Sequence, residues 1–428
     1  MKREYLILSV STIIACAIAA LILSFFFPQL LGRPQDLNVV QLDKKLPPFY
    51  EGVFRATDYA SAELILKDPV TNVRGKPLFP ELGSLGPHDI LGFRNTSIPN
   101  VADVVAIGDS QTYGINVIHY QNWPQILSQK LGEKKVYSMA IGGWSPPQYL
   151  AIYEKALTLQ PQAVVIGIYL GNDILEAFRV VYSHSYWENL RHRDISLEDA
   201  PTTPFPFPQS ELLPLKVNDK DSMVFTPAGR LRTLDQSNRA NKEGVRLILE
   251  CMKQIALKAQ ATNTPTYFLL IPTKELVYKE LITQYNKEIP QDMESLWEQE
   301  QVIHDLLVTE GDKLKPTTIL STLPALRKSA RQDLLTYPPD KDGHPLSQGY
   351  QVIAQTSFDS IKDSIHMLSD GLYQTTIGDN TWYYEIQARK RRLFRTKEAL
   401  KNAGFDSSHA HPATLARLQT YPLMQDYH

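Results

Sequence analysis

The sequence predicts an α/β protein built around a parallel β-sheet. Short, strongly apolar runs alternate along the chain with segments of helical periodicity, and polar, glycine-containing turns follow most of the apolar runs. We predict strands at residues 104–108, 136–141, 163–170 and 266–271. Strands that alternate with helices in this way usually pair in parallel, and continuous apolar runs are typical of strands buried inside such a sheet.

The intervening helices have recognisable boundaries. Residues 122–132 open with Asn122, Trp123 and Pro124 and close with Gly132, and helices favour proline early and glycine late. A longer helix is predicted at 238–261, where apolar side chains recur every three or four residues. This stripe predicts that one face of the helix packs against the sheet.

Composition sets broad limits on function. The chain has 428 residues, 43% of them hydrophobic, which is enough for one large or two modest domains with a substantial core. Its net charge of −2 provides no general attraction to nucleic acid, so no nucleic-acid partner is expected. Cys16 and Cys251 are too few for a cysteine-based zinc site. No nucleotide-binding fingerprint or metal-ligand cluster occurs in the sequence, so no cofactor or metal is expected.

An apolar segment stands near the N-terminus. Residues 5–27 are uncharged and overwhelmingly apolar, and at about 1.5 Å per residue they would cross a bilayer core of about 30 Å. Lys2 and Arg3 favour a cytoplasmic location for residues 1–4. We interpret residues 5–27 as a transmembrane signal anchor. We therefore expect a single-pass membrane protein of bacterial type, with the rest of the chain in the periplasm or at the cell surface.

Two processing alternatives remain open for this segment. Residues 17–19 fit a small-residue cleavage site, and residues 13–16, which end at Cys16, loosely resemble a lipoprotein box. Both would leave the apolar residues 21–27 as an exposed stump, which favours the uncleaved anchor. The rest of the chain is exported under all three interpretations.

The remaining sequence divides into three parts. Residues 28–99 are rich in proline and turn residues and are predicted to form a stalk and an irregular lead-in. The predicted strands lie within a main domain at 100–368, which carries an insertion at about 178–233 with a proline cluster. The insertion is either a lid or wall of the substrate site or a passive surface loop. Residues 369–428 form a C-terminal extension. Its basic run at 389–395 is interpreted as a solvated helix face, with contact to lipid phosphates or a partner as the alternative.

Polar segments stand where predicted strands end. Ser110 follows the first strand, Gly143 the second and Asn172 the third, and His344 precedes a predicted helix. The carboxyl ends of parallel strands form one edge of a sheet, where ligands bind. A nucleophilic serine needs a base within hydrogen-bond reach and donors aimed at an oxyanion. Each residue alone also fits a structural role, such as a turn or a helix cap, so the argument depends on the set.

These four segments, in this order, resemble the blocks of the SGNH or GDSL hydrolase superfamily. The resemblance covers residues 103–366 and implies a three-layer, flavodoxin-like fold with a central parallel sheet. It implies that Ser110 is the catalytic nucleophile and His344 the base. It also implies an oxyanion hole formed by the backbone amides of Ser110 and Gly143 and the side chain of Asn172.

The acid of this set departs from the family pattern. The family usually places it three residues before the histidine, and that position is Lys341. We predict that Asp342 orients His344, with Asp340 as the alternative. The segment also differs from the Gly-x-Ser-x-Gly elbow of α/β-hydrolases, because Thr112 stands two residues after Ser110.

The resemblance implies a serine esterase that removes O-acyl, most simply O-acetyl, groups from an extracytoplasmic carbohydrate or a small ester. One alternative is an O-acetyltransferase that receives acetyl from an envelope-polysaccharide assembly partner. A second is a non-catalytic envelope scaffold that keeps the fold.

Aromatic residues around these segments have two interpretations. They could stack on sugar rings, but aromatic residues at this density more often belong to the core, and we favour the core. They are Trp144, Tyr149, Tyr169, Tyr186 and Trp187. Lys274 and Glu275 follow the fourth predicted strand and either approach the site or form a structural ion pair.

Overall fold

The computed structural model describes residues 64–203, 207–332, 335–365, 371–377, 380–387, 390–394, 396–412 and 418. The predicted cytoplasmic end, the signal anchor at 5–27, its two processing alternatives and the stalk before residue 64 lie outside these residues. None of the helices in the described ranges combines the length and apolar character that a membrane crossing requires.

The described chain alternates strands and helices before it ends in a group of strands. The strands are β1 (Ile65–Asp68), β2 (Asn72–Gly75), β3 (Val104–Gly108), β4 (Val136–Ala140), β5 (Ala163–Tyr169), β6 (Leu213–Lys216), β7 (Ser222–Phe225), β8 (Thr266–Ile271), β9 (Thr318–Ser321), β10 (Gly371–Ile377), β11 (Asn380–Gln387), β12 (Lys390–Phe394) and β13 (His411–Pro412). The α-helices are α1 (Ser110–Tyr113), α2 (Trp123–Lys130), α3 (Pro146–Leu157), α4 (Asp173–Ser183), α5 (Pro227–Leu234), α6 (Arg239–Thr262), α7 (Lys274–Val277), α8 (Lys279–Tyr285), α9 (Gln291–Gly311), α10 (Leu323–Arg331), α11 (Ser347–Ile361) and α12 (Lys397–Asn402). Short 3₁₀ turns lie at His119–Gln121, Ser185–Leu190, Leu197–Asp199, Gln209–Glu211 and Ser407–His409.

A five-stranded parallel sheet lies at the centre of the main domain. Its strand order is β4-β3-β5-β8-β9, the order of flavodoxin-like doubly wound sheets. The four strands predicted from sequence are β3, β4, β5 and β8, so these predictions and the α/β class are confirmed. The edge strand β9 was not predicted, because only two of its four residues are large and apolar. In the structure Thr318 is exposed and the other three residues are half-buried.

Helices cover both faces of this sheet. Every residue of β3, β4, β5 and β8 is buried, as expected for parallel strands enclosed between two helical layers. One face packs with α2 and α11 in the main hydrophobic cluster, while α3, α4 and α6 contact one another in a second group. The predicted helices at 122–132 and 238–261 are α2 and α6, so both are confirmed within two residues at each end.

The described part of the lead-in packs into the main domain. β1 and β2 form an antiparallel hairpin, and the indole N–H of Trp144 donates to the Val73 carbonyl at 2.7 Å. Arg94 is fully buried, and its guanidinium donates to four carbonyls, including those of Tyr113 and Gly114 at the end of α1. Residues 64–99 therefore support the helix that begins at Ser110.

The insertion at 178–233 carries regular structure. β6 and β7 pair as a hairpin, and α5 follows with Arg230 near its centre. Phe225 and Leu234 are fully buried, and Phe225 belongs to the main hydrophobic cluster. The described part of the insertion is therefore anchored in the core rather than a plain loop.

The described part of the C-terminal extension forms a separate four-stranded sheet, β12-β11-β10-β13. The interpretation of its basic run as a helix face is wrong, because Lys390–Phe394 is a strand paired antiparallel to β11. Phe394 is buried with Leu372, Tyr383 and Leu400 in a small core. Cross-strand pairing and this apolar contact, rather than the local charge pattern, determine the backbone conformation here.

Candidate active site

Ser110 stands at the point where β3 turns directly into α1. Asp109 caps this helix, because its Oδ1 accepts from the Gln111 amide at 2.9 Å. The turn is tight enough that a Cβ on Gly108 would lie 2.1 Å from the hydroxyl oxygen of Thr112, so glycine is needed there. The cap and the glycine together hold Ser110, which is partly exposed, at the carboxyl edge of the sheet.

His344 reaches Ser110 from the loop before α11. Its Nε2 lies 2.8 Å from Oγ of Ser110, and its Nδ1 lies 2.7 Å from Oδ1 of Asp342. A carboxylate only accepts hydrogen bonds, so the imidazole proton is assigned to Nδ1 and Nε2 accepts from the serine hydroxyl. The structure therefore brings the predicted nucleophile, base and acid into one hydrogen-bonded line.

The two candidate acids have different contacts. Oδ1 of Asp342 accepts from both the ring and the backbone N–H of His344, the latter at 2.9 Å. Asp340 accepts from the Asp342 amide at 2.8 Å and shapes the loop. Burial raises the pKa of Asp342, but the hydrogen bonds and charge of His344, with a contribution from Asn116, outweigh it and lower this pKa to about 2. Asp342 is therefore an ionised partner of the imidazole near neutral pH.

The glycine pair lies beside Ser110. A Cβ on Gly142 would lie 3.6 Å from that of Ser110, and Gly143 has a φ of 81° in the turn closed by the Trp144 amide on the Ile141 carbonyl. This left-handed conformation favours glycine. Neither the Gly143 nor the Ser110 amide donates to an acceptor in the described chain. Both remain free to bind a ligand oxygen.

Asn172 occupies the N-cap position of α4 but does not cap it. Its side chain makes no capping hydrogen bond, and its buried Oδ1 has no partner among the described residues. A structural cap would use this side chain to accept from the first turn of the helix. The capping role considered from sequence is therefore not what the structure shows.

Two residues that the sequence did not point to hold the His344 loop against α1. Nε2 of Gln111 donates to the Gly343 carbonyl at 3.3 Å, and Nδ2 of Asn116 donates to the His344 carbonyl at 3.2 Å. These bonds join residues more than two hundred positions apart. Glutamine and asparagine side chains have no local signal for such contacts, so only the fold identifies them.

Lys274 also supports the loop that carries Asp342 and His344. This buried ammonium donates to the carbonyls of Pro338 and Asp340 at 2.6 Å and to that of Val224 at 3.1 Å. Burial is the main reason why its pKa falls to about 8. Glu275 instead accepts from Thr226, so the ion-pair interpretation of Lys274 and Glu275 is wrong. Lys274 positions the acid-bearing loop.

Two buried carboxyl groups lie behind the nucleophile. Burial raises the pKa of Asp109 to about 6, although its hydrogen bond from Gln111 and the charge of His344 act in the opposite direction. Burial and the neighbouring Asp109 also raise the pKa of Asp173, which accepts from the Tyr149 hydroxyl at 3.0 Å. Both groups help to determine the shape of the turns at the sheet edge.

The aromatic residues considered for sugar stacking are mostly core. Trp144, Tyr149, Tyr169 and Trp187 are at most 5% exposed, whereas Tyr186 is 56% exposed. Buried rings have no face available for a sugar. Of these five, only Tyr186 remains a candidate for stacking.

This arrangement is suited to acyl transfer through a serine. It contains a hydroxyl bonded to an imidazole, an imidazole bonded to a carboxylate, and the backbone amides of Ser110 and Gly143, which have no acceptor in the described chain. The α/β fold with a parallel sheet and the contact of Ser110 with His344 agree with what the resemblance to the SGNH, or GDSL, hydrolase superfamily implied.

No family model matches the sequence, and no curated protein sequence matches it. Solved structures with which the chain aligns include an extracellular lipase from Streptomyces rimosus, at 13% identity and a TM-score of 0.35, covering 60% of this chain and 99% of the lipase. A catalytic mutant of an acetylxylan esterase from Geobacillus stearothermophilus aligns at 11% identity with a TM-score of 0.34, covering 63% and 97%. A lipolytic protein of the G-D-S-L family from Veillonella parvula aligns at 10% identity with a TM-score of 0.33, covering 60% and 96%.

Proposed function

We propose that the protein is a serine esterase that hydrolyses O-acyl, most simply O-acetyl, esters of a carbohydrate. The observation that carries this proposal is the 2.8 Å contact between Oγ of Ser110 and Nε2 of His344, with Asp342 on the far side of the ring. A serine hydroxyl is a weak nucleophile until an adjacent base removes its proton. The site holds that base in place before substrate arrives.

Acylation would proceed in two stages. His344 takes the proton of Ser110 as Oγ attacks the ester carbonyl, and the charge passes to the carbonyl oxygen. The amides of Ser110 and Gly143 and the side chain of Asn172 then stabilise this oxyanion. Losing one such donor typically costs about 3 kcal/mol of transition-state stabilisation. The tetrahedral intermediate collapses, the sugar hydroxyl leaves with the proton from His344, and an acyl-serine remains.

Deacylation uses the same groups in reverse roles. His344 accepts a proton from water, the hydroxide attacks the acyl carbonyl, and Ser110 leaves with the proton. Asp342 stabilises the imidazolium that forms in each stage, since its carboxylate faces Nδ1. The products are the free carboxylic acid and the deacylated sugar.

A small apolar cavity supports a short acyl group. It has a volume of about 210 Å³ and lies against Gly142, the residue next to Ser110 in space. Its other walls are Leu64, Ile65, His88, Tyr113, Ile115 and Ile141. Apolar walls favour a methyl or short alkyl group over a polar one. The carbohydrate part of the proposal follows from the resemblance of a membrane-tethered SGNH chain to envelope-acting esterases.

The first test is covalent labelling of the nucleophile. We expect a fluorophosphonate to label the wild-type protein and to leave Ser110→Ala unlabelled, because the reagent phosphonylates an activated serine. Ser183→Ala is the matched control, since Ser183 donates only to the Arg179 carbonyl on α4. A folded wild-type protein that resists labelling would overturn the esterase proposal and favour a scaffold.

A second test follows the acyl group. The wild-type protein is incubated with an activated acetyl ester, with and without an acceptor oligosaccharide. We expect acetate release with or without the acceptor, and we expect it to exceed sugar acetylation when the acceptor is present. Predominant sugar acetylation would instead assign the acetyltransferase activity to this site.

We further propose that residues 5–27 anchor the protein and that the catalytic domain faces outward. The support is the length and uncharged character of this segment together with Lys2 and Arg3 before it. A reporter enzyme that is active only outside the cytoplasm, fused after residue 428, should be active. An inactive periplasmic reporter and an active cytoplasmic one would reverse the assignment.

A further inference from the structure

Arg230 lies beside the catalytic loop. This arginine belongs to α5, in the insertion, and its guanidinium carbon is 5.6 Å from the ring centroids of both Tyr169 and Phe207. Its Nη2 lies 2.7 Å from the point that a Cβ on Gly343 would occupy. Gly343 immediately precedes His344, so the guanidinium stands next to the residues that carry the base.

The guanidinium has few partners for a positive charge. Nη1 donates to the Gly171 carbonyl at 3.3 Å, and the buried Nε donates to no described residue. No carboxylate oxygen of the described chain lies within ion-pair distance of Arg230, whereas Arg232 on the same helix pairs with Glu211. A charge held away from water normally requires a partner. Arg230 therefore has no carboxylate partner within the described chain.

The acidic residues whose charges act on Arg230 are mostly engaged elsewhere. They are Glu275, Glu300 and Asp342. Glu275 accepts from Thr226, Glu300 accepts from Thr273, and Asp342 accepts from His344. They offset the charge at a distance without forming a direct contact with the guanidinium.

A second donor without an acceptor adjoins the same point. The Tyr169 hydroxyl is buried, has no partner among the described residues, and lies 3.1 Å from the same Cβ point on Gly343. Asn172 follows the Gly171 carbonyl to which Arg230 donates, and the buried atom of its side chain without a partner in the described chain is the acceptor Oδ1. Nε of Arg230 and the Tyr169 hydroxyl are thus two donor groups that have no acceptor in the described chain, as expected where an oxygen-rich anion binds.

We propose that Arg230, assisted by Tyr169, binds an anionic oxygen group of the substrate, and that the preferred substrates are acyl esters of acidic saccharides. This inference rests on the proposed esterase function. It makes Arg230 a specificity-determining residue that holds the sugar while Ser110 attacks the ester. A carboxylate and a sulfate share this chemistry, since both present oxygens to the guanidinium.

The test compares substrates that differ only in charge. One is an O-acetylated oligouronide, and the other is the same compound with its carboxylates methyl-esterified. An O-acetylated sulfated oligosaccharide forms a third arm. Hydrogen bonds to a charged group contribute about tenfold to a hundredfold in affinity. We expect wild-type kcat/KM to be higher by such a factor for the charged member of the pair, chiefly through KM, and the sulfated arm to show which anion is preferred.

Variants then assign the preference to one side chain. Arg230→Gln should bring the ratio of the two kcat/KM values close to one, and Arg230→Lys should retain part of it. Arg232→Gln is the matched control, because it removes a guanidinium from the same helix, and it should keep the wild-type ratio. Free uronate should inhibit the wild-type protein more strongly than its methyl ester does.

The outcomes separate this proposal from the function on which it rests. Equal wild-type turnover of charged and neutral esters would overturn the anionic subsite while leaving the esterase intact, and this comparison does not depend on any variant folding. An Arg230→Gln protein that retains the wild-type ratio would do the same. If the wild-type protein hydrolyses none of these esters and is not labelled by the fluorophosphonate, the esterase proposal itself is rejected.

Discussion

Replacing Asp342 by asparagine distinguishes the two carboxylates that precede His344. Oδ1 of Asp342 accepts from the ring and the backbone of His344, whereas Asp340 contacts the Asp342 amide. We therefore expect Asp342→Asn to lower kcat strongly and Asp340→Asn to lower it only a few-fold. The two variants make the same chemical change two residues apart and are matched controls for each other.

The structure indicates the size of the effect. The fall in the pKa of Asp342 from 3.8 to about 2 corresponds to ~2 kcal/mol of interaction with its partners. Because a third of this side chain is exposed, solvent screening reduces the figure to ~1 kcal/mol, or about fivefold in rate. An amide can also stabilise the wrong imidazole tautomer, and in a Ser-His-Asp site that change costs about 10⁴ in kcat. We therefore expect a loss in kcat of at least about fivefold, rising toward about 10⁴ if the wrong tautomer dominates.

Hydrolysis of p-nitrophenyl acetate at pH 7 measures the loss, with circular dichroism as a check on folding. Urea unfolding provides a second readout with a defined sign. A carboxyl whose folded pKa lies below its unfolded value stabilises the protein above that unfolded value, and the contribution disappears as the pH falls. The free energy of unfolding of the wild type should therefore exceed that of Asp342→Asn by ~1 kcal/mol at pH 6. This difference should vanish between pH 4 and pH 2. Equal losses of kcat in the two variants, or an Asp342→Asn rate within threefold of wild type, would refute this assignment of the acid.

Three further predictions follow from the site and its supports. Asn172→Ala should lower kcat by about 10² to 10³ through loss of an oxyanion donor. Its free energy of unfolding should change by less than about 0.5 kcal/mol, because the side chain does not cap the helix. A large stability loss with normal kcat would instead indicate a capping role. Lys274→Met should lower the free energy of unfolding, measured in urea, by about 2–3 kcal/mol, because three carbonyls lose their donor. It should also lower kcat, because the loop that carries Asp342 loses its support. A normal kcat would contradict the positioning role. Burial raises the pKa of Glu300 from 4.5 to about 7, so the free energy of unfolding of the wild type should fall as the pH rises through this range. Glu300→Gln should therefore be more stable than wild type by up to about 3 kcal/mol at pH 8 but not at pH 4. An equal effect at both pH values would show that the carboxylate charge is irrelevant.

The elements predicted correctly from sequence carry their signal locally. β3, β4, β5 and β8 each have an apolar run of their own, and α6 has an apolar stripe bounded by Asn238. The short edge strand β9 has only Ile319 and Leu320 as large apolar residues and gives no such signal. A strand at the edge of a sheet is determined by its neighbour more than by its own composition.

The basic run at 389–395 is a case in which the local sequence did not predict the backbone conformation. A cluster of arginine and lysine side chains predicts exposure but not backbone conformation, because it indicates neither a helix partner nor a strand partner. Lys390–Phe394 became a strand through pairing with β11 and burial of Phe394. That information resides in residues elsewhere in the chain.

The sequence by itself determined the chemistry of the candidate site: a serine, a glycine pair, an asparagine and a histidine in a recognisable order, at the ends of strands that their own apolar runs predict. The sequence also favoured Asp342 over Asp340 as the acid, but only the tertiary structure showed that the loop directs Oδ1 of Asp342 toward the imidazole and that of Asp340 toward a backbone amide. The tertiary structure also placed Lys274 beneath that loop and Arg230 beside it. The physical reason is that hydrogen bonds act over about 3 Å in space, and residues far apart in the chain come within that distance only when helices and loops have packed on the sheet.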